Sequence, residues 1–192
     1  MPLPSMTSSQ PMNCHLMKTT KNLFFESDCI LTLGDGNFTF SRYLYQSFKC
    51  KIIATDVVDN HKSNSLIKDN REYLIDNGHN VYLGVDATKL EEYPLLMCRN
   101  DISYIIFNFP HVLTKKMKIG LNRQLLKEFF ESAQRFIGDK SIKVMVSLCS
   151  GQSGVNDIEE TDRKWSDSWQ LPEMATNGNF VIIDYNDFIE KR

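Results

Sequence analysis

The residues whose types and spacing carry the most chemistry sit at three points in the first half of the chain. Gly34-Asp35-Gly36-Asn37 follows a short apolar run, Cys29 to Leu33. Two glycines two residues apart let a backbone turn tightly and approach a ligand closely. A helix starting just beyond them would aim its N-terminal N–H groups at the same point. Thr39 stands where a G-x-G-x-x-G fingerprint has its third glycine, so the turn alone fits many strand-to-helix connections. Asp56 closes a second apolar run about 20 residues further on, a spacing that suits a carboxylate accepting from a ribose diol. Asp86 closes a third run beside Val85, where a carboxylate could accept from an adenine amino group. Either aspartate alone reads more simply as a helix cap or a surface charge. The glycine turn, Asp56 and Asp86 in order on three successive strands describe a pocket for an adenosine-bearing ligand.

A fourth run leads into Phe107-Asn108-Phe109-Pro110-His111. One amide among aromatic rings, ahead of a proline that fixes the chain, makes a flat slot for a planar base stacked on Phe109 and held by Asn108. A turn broken by Pro110, with His111 in solvent, explains the same residues equally well. An imidazole with an unperturbed pKa of about 6.5 suits proton transfer near neutral pH; closing the loop is its alternative role. Lys115, Lys116, Lys118, Arg123 and Lys127 follow within thirteen positions. They could meet phosphates, and a solvated helix face explains them nearly as well.

These residues need a scaffold, and the hydrophobic pattern supplies one. Strands are predicted at Cys29 to Leu33, Lys51 to Asp56, Asn80 to Val85, Ser103 to Phe107, Ile142 to Leu148 and Phe180 to Ile183. Between them, Phe40, Tyr43, Leu44 and Phe48 recur at helical spacing, as do Leu66, Ile67, Asn70, Tyr73 and Leu74, and later Leu121, Leu125, Phe129, Ala133 and Phe136. Ser63 or Ser65 is a candidate N-cap for the second helix, and Gly78 and Gly138 are helix stops. Short apolar strands alternating with helices predict an α/β fold with a mostly parallel sheet and helices on both faces. Ligands in such sheets bind at the carboxyl ends of the strands, where the residues named above fall.

The chain of 192 residues, 42% hydrophobic and 24% charged, has the composition of one globular domain. Its net charge of −2 excludes coating of nucleic acid or anionic membrane by bulk charge. No apolar run approaches the roughly 18 residues that would span a bilayer, so no membrane partner is expected. Five cysteines, none spaced C-x-x-C, and four scattered histidines argue against a disulfide framework and against a metal site. Residues 1–27 are expected to be a disordered tail and 28–192 the folded domain. The tail lacks a secretory pattern; with Lys18 and Lys21 and no acids over 1–22 it is compatible with a mitochondrial presequence. An intracellular location, cytoplasmic or nucleolar, is expected.

Three segments together resemble a known family. Gly34-Asp35-Gly36-Asn37-Phe38-Thr39-Phe40-Ser41 is similar to G-[DE]-G-N-F-S-F-[SA]. Tyr104 to His111 is similar to a strand ending F-N-F-P-H, and Asn122 to Phe130 to an N-R-x-L-L-x-x-F-F helix. The family is the large-subunit rRNA uridine-N3 methyltransferase-like group, and the resemblance runs from about residue 28 to 184. It implies a Rossmann-like class I fold dependent on S-adenosylmethionine and methylation of an RNA base, in rRNA more than tRNA. Carried over, Gly34, Asp35, Gly36 and Asn37 would line the methionine end of the cofactor, Asp56 the ribose and Asp86 the adenine. Asn108 and His111 would face the target base, with Phe109, Lys115, Lys116 and Arg123 on the RNA.

Cys149-Ser150-Gly151-Gln152-Ser153-Gly154, Trp165-Ser166-Asp167-Ser168-Trp169-Gln170 and Met174-Ala175 resemble a branch of this group. Its members carry a ferredoxin-fold anticodon-binding domain beyond this one. The rRNA enzymes have L-K-x-G-x-P-Y in that loop; Cys149 stands at the lysine and Gly154-Val155 at the Pro-Tyr pair. A seventh, antiparallel strand is expected to be missing. These departures favour an alternative, a non-catalytic RNA- or tRNA-binding module that keeps the fold. A dinucleotide-dependent oxidoreductase also fits the glycines and Asp56, but not the second aspartate or the F-N-F-P-H loop.

Overall fold

The computed structural model describes residues 23–58, 65–112, 118–155 and 164–185. Five strands form one sheet: β1 (Cys29–Leu33), β2 (Lys51–Asp56), β3 (Asn80–Leu83), β4 (Tyr104–Asn108) and β5 (Lys143–Ser147). Their order is β3-β2-β1-β4-β5, and all four pairings are parallel. The order reverses at β1, whose neighbours β2 and β4 lead away in opposite directions. That reversal is the crevice where open α/β sheets bind ligands.

Both faces of the sheet are apolar because side chains alternate along each strand. Cys29, Leu31 and Leu33 of β1, Ile53 of β2 and Ile105 and Phe107 of β4 face one core. Ile30, Ile52, Ala54 and Ile106 face the other. The second core is covered by α1 (Thr39–Phe48) and α2 (Ser65–Asp76), through Leu44, Ile67 and Leu74. The first is covered by α4 (Ile119–Ile137), with a 3-10 segment over Ala87–Glu92 and two short helices, α3 (Pro94–Met97) and α5 (Leu171–Thr176). On α4, Leu126, Phe129, Phe130, Ala133, Phe136 and Ile137 recur every three or four residues and all are buried.

Gly78 ends the turn after α2 at φ +81°, with its N–H on the Ile75 carbonyl at 2.9 Å. The sequence places this stop correctly, whereas Ser65 is the first residue of α2 rather than its N-cap, and Ser63 lies outside the described residues.

Two expectations change. Phe180 to Ile183 is not a strand: these residues have no regular structure, and Val181 and Ile183 are 77% and 85% exposed. After α5 the chain is pinned to α4 rather than laid along β5. A Cβ on Gly178 would clash with the Phe130 carbonyl oxygen, and the Phe180 ring packs on that of Phe130, centroids 5.5 Å apart. The folded body also begins before residue 28. Phe24 is buried and meets Phe48 and Tyr104 edge-on at 5.2 and 5.0 Å.

Candidate functional site

Backbone hydrogen bonds join the carboxyl ends of the strands into one rim. The N–H of Asp35 donates to the Thr55 carbonyl at 3.1 Å, tying the glycine turn to β2. The N–H of Val85 donates to the Asp56 carbonyl at 3.0 Å, tying β2 to the exit of β3. The N–H of Phe109 donates to the Ser147 carbonyl at 2.8 Å, tying β4 to β5. Between them, Leu33 pairs with Phe107 in the β1–β4 register. A Cβ on Gly34 would sit 3.2 Å from the Phe107 ring, so only glycine fits there without displacing the aromatic strand end. Gly34, Asp35, Gly36, Asp56, Asp86 and Asn108 therefore share one edge of the molecule.

The glycine turn is held from below. Gly34 and Gly36 have φ of +59° and +65°, and nothing lies within 4 Å of a Cβ built on Gly36. That leaves open space beside the backbone of the turn. Phe38, fully buried, takes φ 60°. Asn70, 2% exposed, reaches across from α2 and donates to the Asn37 carbonyl at 2.9 Å and to Thr39 Oγ1 at 3.2 Å. Arg42 donates to Asn70 Oδ1 at 3.1 Å. Asn37 itself is exposed, and its Oδ1 accepts from the Thr39 N–H at 3.1 Å. The spacing of Asn70 marks it as part of a buried helical face; its polar side chain there is the one sequence signal that it anchors something.

The three aspartates differ in their surroundings. Asp35 turns its carboxylate onto the first turn of α1, where Oδ2 accepts from the Ser41 N–H at 2.9 Å. Burial pushes its pKa up to about 6, against the hydrogen bonds from Ser41 and Phe40, and the nearby Asp56 carboxylate adds to the rise. Asp56 is buried at 3% exposure, with Oδ1 accepting from the Val57 N–H at 2.9 Å. Val57 and Val58 beside it are exposed. Asp86 caps the 3-10 segment: its Oδ1 accepts from the N–H and the hydroxyl of Thr88 at 2.9 and 2.7 Å. Its second oxygen makes no hydrogen bond among the described residues. Tyr93 fixes this corner, its hydroxyl donating to the Gly84 carbonyl at 2.9 Å and accepting from the Asp86 N–H at 2.7 Å.

At the end of β4, Asn108 is half-buried and its Oδ1 accepts from the Ser147 hydroxyl at 2.7 Å. Phe109 takes φ 49° and is 52% exposed, so the backbone turns its ring outward. Pro110 is buried, and Val112 donates to Asn122 Oδ1 on α4 at 2.9 Å. His111 is exposed, with Nδ1 3.0 Å from the Phe109 carbonyl oxygen. Its Nε2 makes no hydrogen bond among the described residues. The loop thus offers an amide, a ring and an imidazole on one rigid turn. Ser147 was not singled out by the sequence; its only signal is a polar residue closing an apolar strand.

The cations divide. Lys115 and Lys116 lie outside the described residues. Lys118 is exposed ahead of α4, and Lys127 lies 3.9 Å from Glu131 one turn along. The structure gives Arg123 a different task from a phosphate contact. Its Nε and Nη2 donate to the Ser168 carbonyl at 3.0 and 2.7 Å, and Nη2 donates to the Ser166 carbonyl at 2.6 Å. It pins the Trp165–Asp167 turn to α4. The loop at 149–155 packs under the same turn. The Trp169 and Leu171 N–H groups donate to the Gln152 and Ser153 carbonyls at 2.6 and 2.8 Å. A Cβ on Gly154 would lie 2.5 Å from Ser168 Oγ. Cys149 is exposed at the head of this loop.

Among the described residues, no three His, Cys, Asp or Glu side chains are grouped to hold a metal ion, and no helix is long and apolar enough to cross a membrane.

Comparison with known proteins fits this arrangement. The family described as BMT5-like, rRNA (uridine-N3-)-methyltransferase, matches residues 31–192. The mouse ferredoxin-fold anticodon-binding domain-containing protein 1 homolog is 32% identical over 163 residues, 83% of this chain and 26% of that protein. The human ferredoxin-fold anticodon-binding domain-containing protein 1 gives the same identity and coverage. The chain thus spans about a quarter of the length of the curated relatives it matches, 26% in both. Among solved structures, the Helicobacter pylori ADP-L-glycero-D-manno-heptose-6-epimerase aligns with TM-score 0.50 at 16% identity, over 80% of this chain and 48% of that one. That likeness concerns the Rossmann-like fold alone.

Proposed function

The chain belongs to the BMT5-like rRNA (uridine-N3-)-methyltransferase family, and from that membership we propose that it is an S-adenosylmethionine-dependent methyltransferase acting on an RNA base, with uridine N3 in rRNA as the target. The observation that carries the reading is the shared rim: the adenosine-type carboxylates and the F-N-F-P-H loop lie on neighbouring strand ends, with Gly34 against Phe107 where they meet.

The residues fit the cofactor by their chemistry. Asp56 offers a buried carboxylate to a diol, the second oxygen of Asp86 can accept from an amine, and the open space beside Gly36 leaves room along the turn. When bound, S-adenosylmethionine supplies a methyl group activated by a positive sulfur. Transfer is an in-line displacement, so the work of the chain is positioning. Phe109 would give a stacking face, Asn108 would orient the base edge, and the exposed imidazole of His111 would accept the N3 proton. An intracellular site of action, cytoplasmic or nucleolar, goes with such a substrate.

A second reading is a non-catalytic RNA-binding module. The loop at 149–155 favours it, because Cys149 and Gly154-Val155 stand where the rRNA enzymes that it resembles carry a lysine and a Pro-Tyr pair. Incubation of the chain with methyl-labelled S-adenosylmethionine and either rRNA or tRNA separates the two. Label in rRNA, at N3 of a uridine, is expected. Cofactor binding without label in any RNA would establish the module instead.

A further inference from the structure

We propose that Ser147 is a positioning residue that holds the Asn108 amide with its N–H groups toward the target base, and thereby selects bases that present a keto oxygen over those that present an amino group. The proposal rests on Asn108 facing the base, as in the function proposed above.

Ser147 and Asn108 are register partners at the last rung of the β4–β5 ladder. The hydroxyl of Ser147 donates to Asn108 Oδ1 at 2.7 Å, and its carbonyl accepts from the Phe109 N–H at 2.8 Å. One residue thus holds both the amide and the backbone that carries the stacking ring. A serine hydroxyl has a single proton to donate. Given to Asn108 Oδ1, it occupies the amide's acceptor and leaves Nδ2 with no hydrogen bond among the described residues. A half-buried amide fixed this way shows a base two N–H donors and little acceptor. Flipping it would let Nδ2 donate to the serine oxygen, but would leave the hydroxyl proton without its partner and turn Oδ1 outward.

Uridine and cytidine differ at the edge beside N3. Uridine carries an oxygen at C4, which accepts; cytidine carries an amine, which donates. Outward Nδ2 donors pair with the first and oppose the second. A site built to hydrogen-bond one group rejects the analogue that lacks it far more strongly than an apolar pocket does.

The test compares binding of two short hairpin RNAs that differ only in one unpaired loop nucleotide, uridine or cytidine. The chain is used intact, with thermal melts confirming that each variant folds. The wild-type chain is expected to prefer the uridine hairpin by about tenfold. Ser147→Ala and Ser147→Val, which lack the hydroxyl, should reduce that preference to about twofold, and Ser147→Thr, which keeps it, should restore it. No preference in the wild type, or an undiminished one in both Ser147→Ala and Ser147→Val, would overturn the proposal. Methyl transfer to the same hairpins is scored separately. A hydroxyl-dependent uridine preference without transfer supports the role of Ser147 while removing the enzymatic reading.

Discussion

The N–H of Ser41 meets the Asp35 carboxylate at 2.9 Å, placing an acid on the first turn of α1 inside the fold. Burial raises that acid from 3.8 to about 6. Below pH 3.8 the carboxyl is protonated whether the chain is folded or not. Between that value and about 6 the folded chain holds the proton more tightly, so stability falls as pH rises through the interval and levels off above it. Asp35→Asn keeps an acceptor for Ser41 and removes the titration. Urea unfolding at stepped pH should show a flatter profile for the variant, by an amount on the order of 1–2 kcal/mol given the site's partial exposure. Matching profiles would mean that Asp35 is solvated.

Asp56 carries the cofactor claim. Replacing it with alanine should weaken S-adenosylmethionine binding by about tenfold or more, because charge-assisted hydrogen bonds are among the stronger single contacts. Calorimetry reads this directly. A folded Asp56→Ala chain with wild-type affinity would take Asp56 out of the site.

Asn108→Ala should leave cofactor affinity intact, since the adenosine contacts come from other strands. Methyl transfer should fall by more than about tenfold as the base loses its orienting partner. His111→Ala should also slow transfer, because the N3 proton loses its acceptor. Wild-type rates in both variants would make the F-N-F-P-H loop structural.

For Arg123 the expected effect is on folding. Arg123→Ala leaves the Ser166 and Ser168 carbonyls without their donor, at roughly 1–3 kcal/mol, so the melting temperature drops. The salt dependence of RNA binding should not change, whereas loss of a phosphate contact would reduce its slope by about one. A shallower slope with unchanged melting would return Arg123 to the RNA.

These contrasts show which features a sequence can disclose. β1 and β2 were legible because residues such as Ile30 and Leu31 on opposite faces are both apolar, as a strand buried on two sides requires. Phe180 to Ile183 has the same composition and forms no strand, because pairing depends on a neighbouring edge that composition does not encode. The rim positions of Asp56 and Asn108 follow from where their strands end. The task of Arg123 does not, since its acceptor on Ser168 lies 45 residues away. Ser147 went unseen for the same reason: its partner Asn108 is 39 residues distant and becomes adjacent only through the ladder.

The position of β1 at the reversal point has a consequence for assembly order. Its pairing with β2 joins Cys29 to Lys51, a short closure, whereas its pairing with β4 joins Ile30 to Tyr104. The core under α1 and α2 draws on the segment from Phe24 to Leu74, with Ile106 the one buried residue in it from β4 onward among the described residues. The first half of the molecule can therefore collapse on local contacts, while the Gly34–Phe107 junction waits for the longer closure. The crevice that would receive a ligand exists only once β1 has met β4, so occupancy reports that both halves have folded and docked.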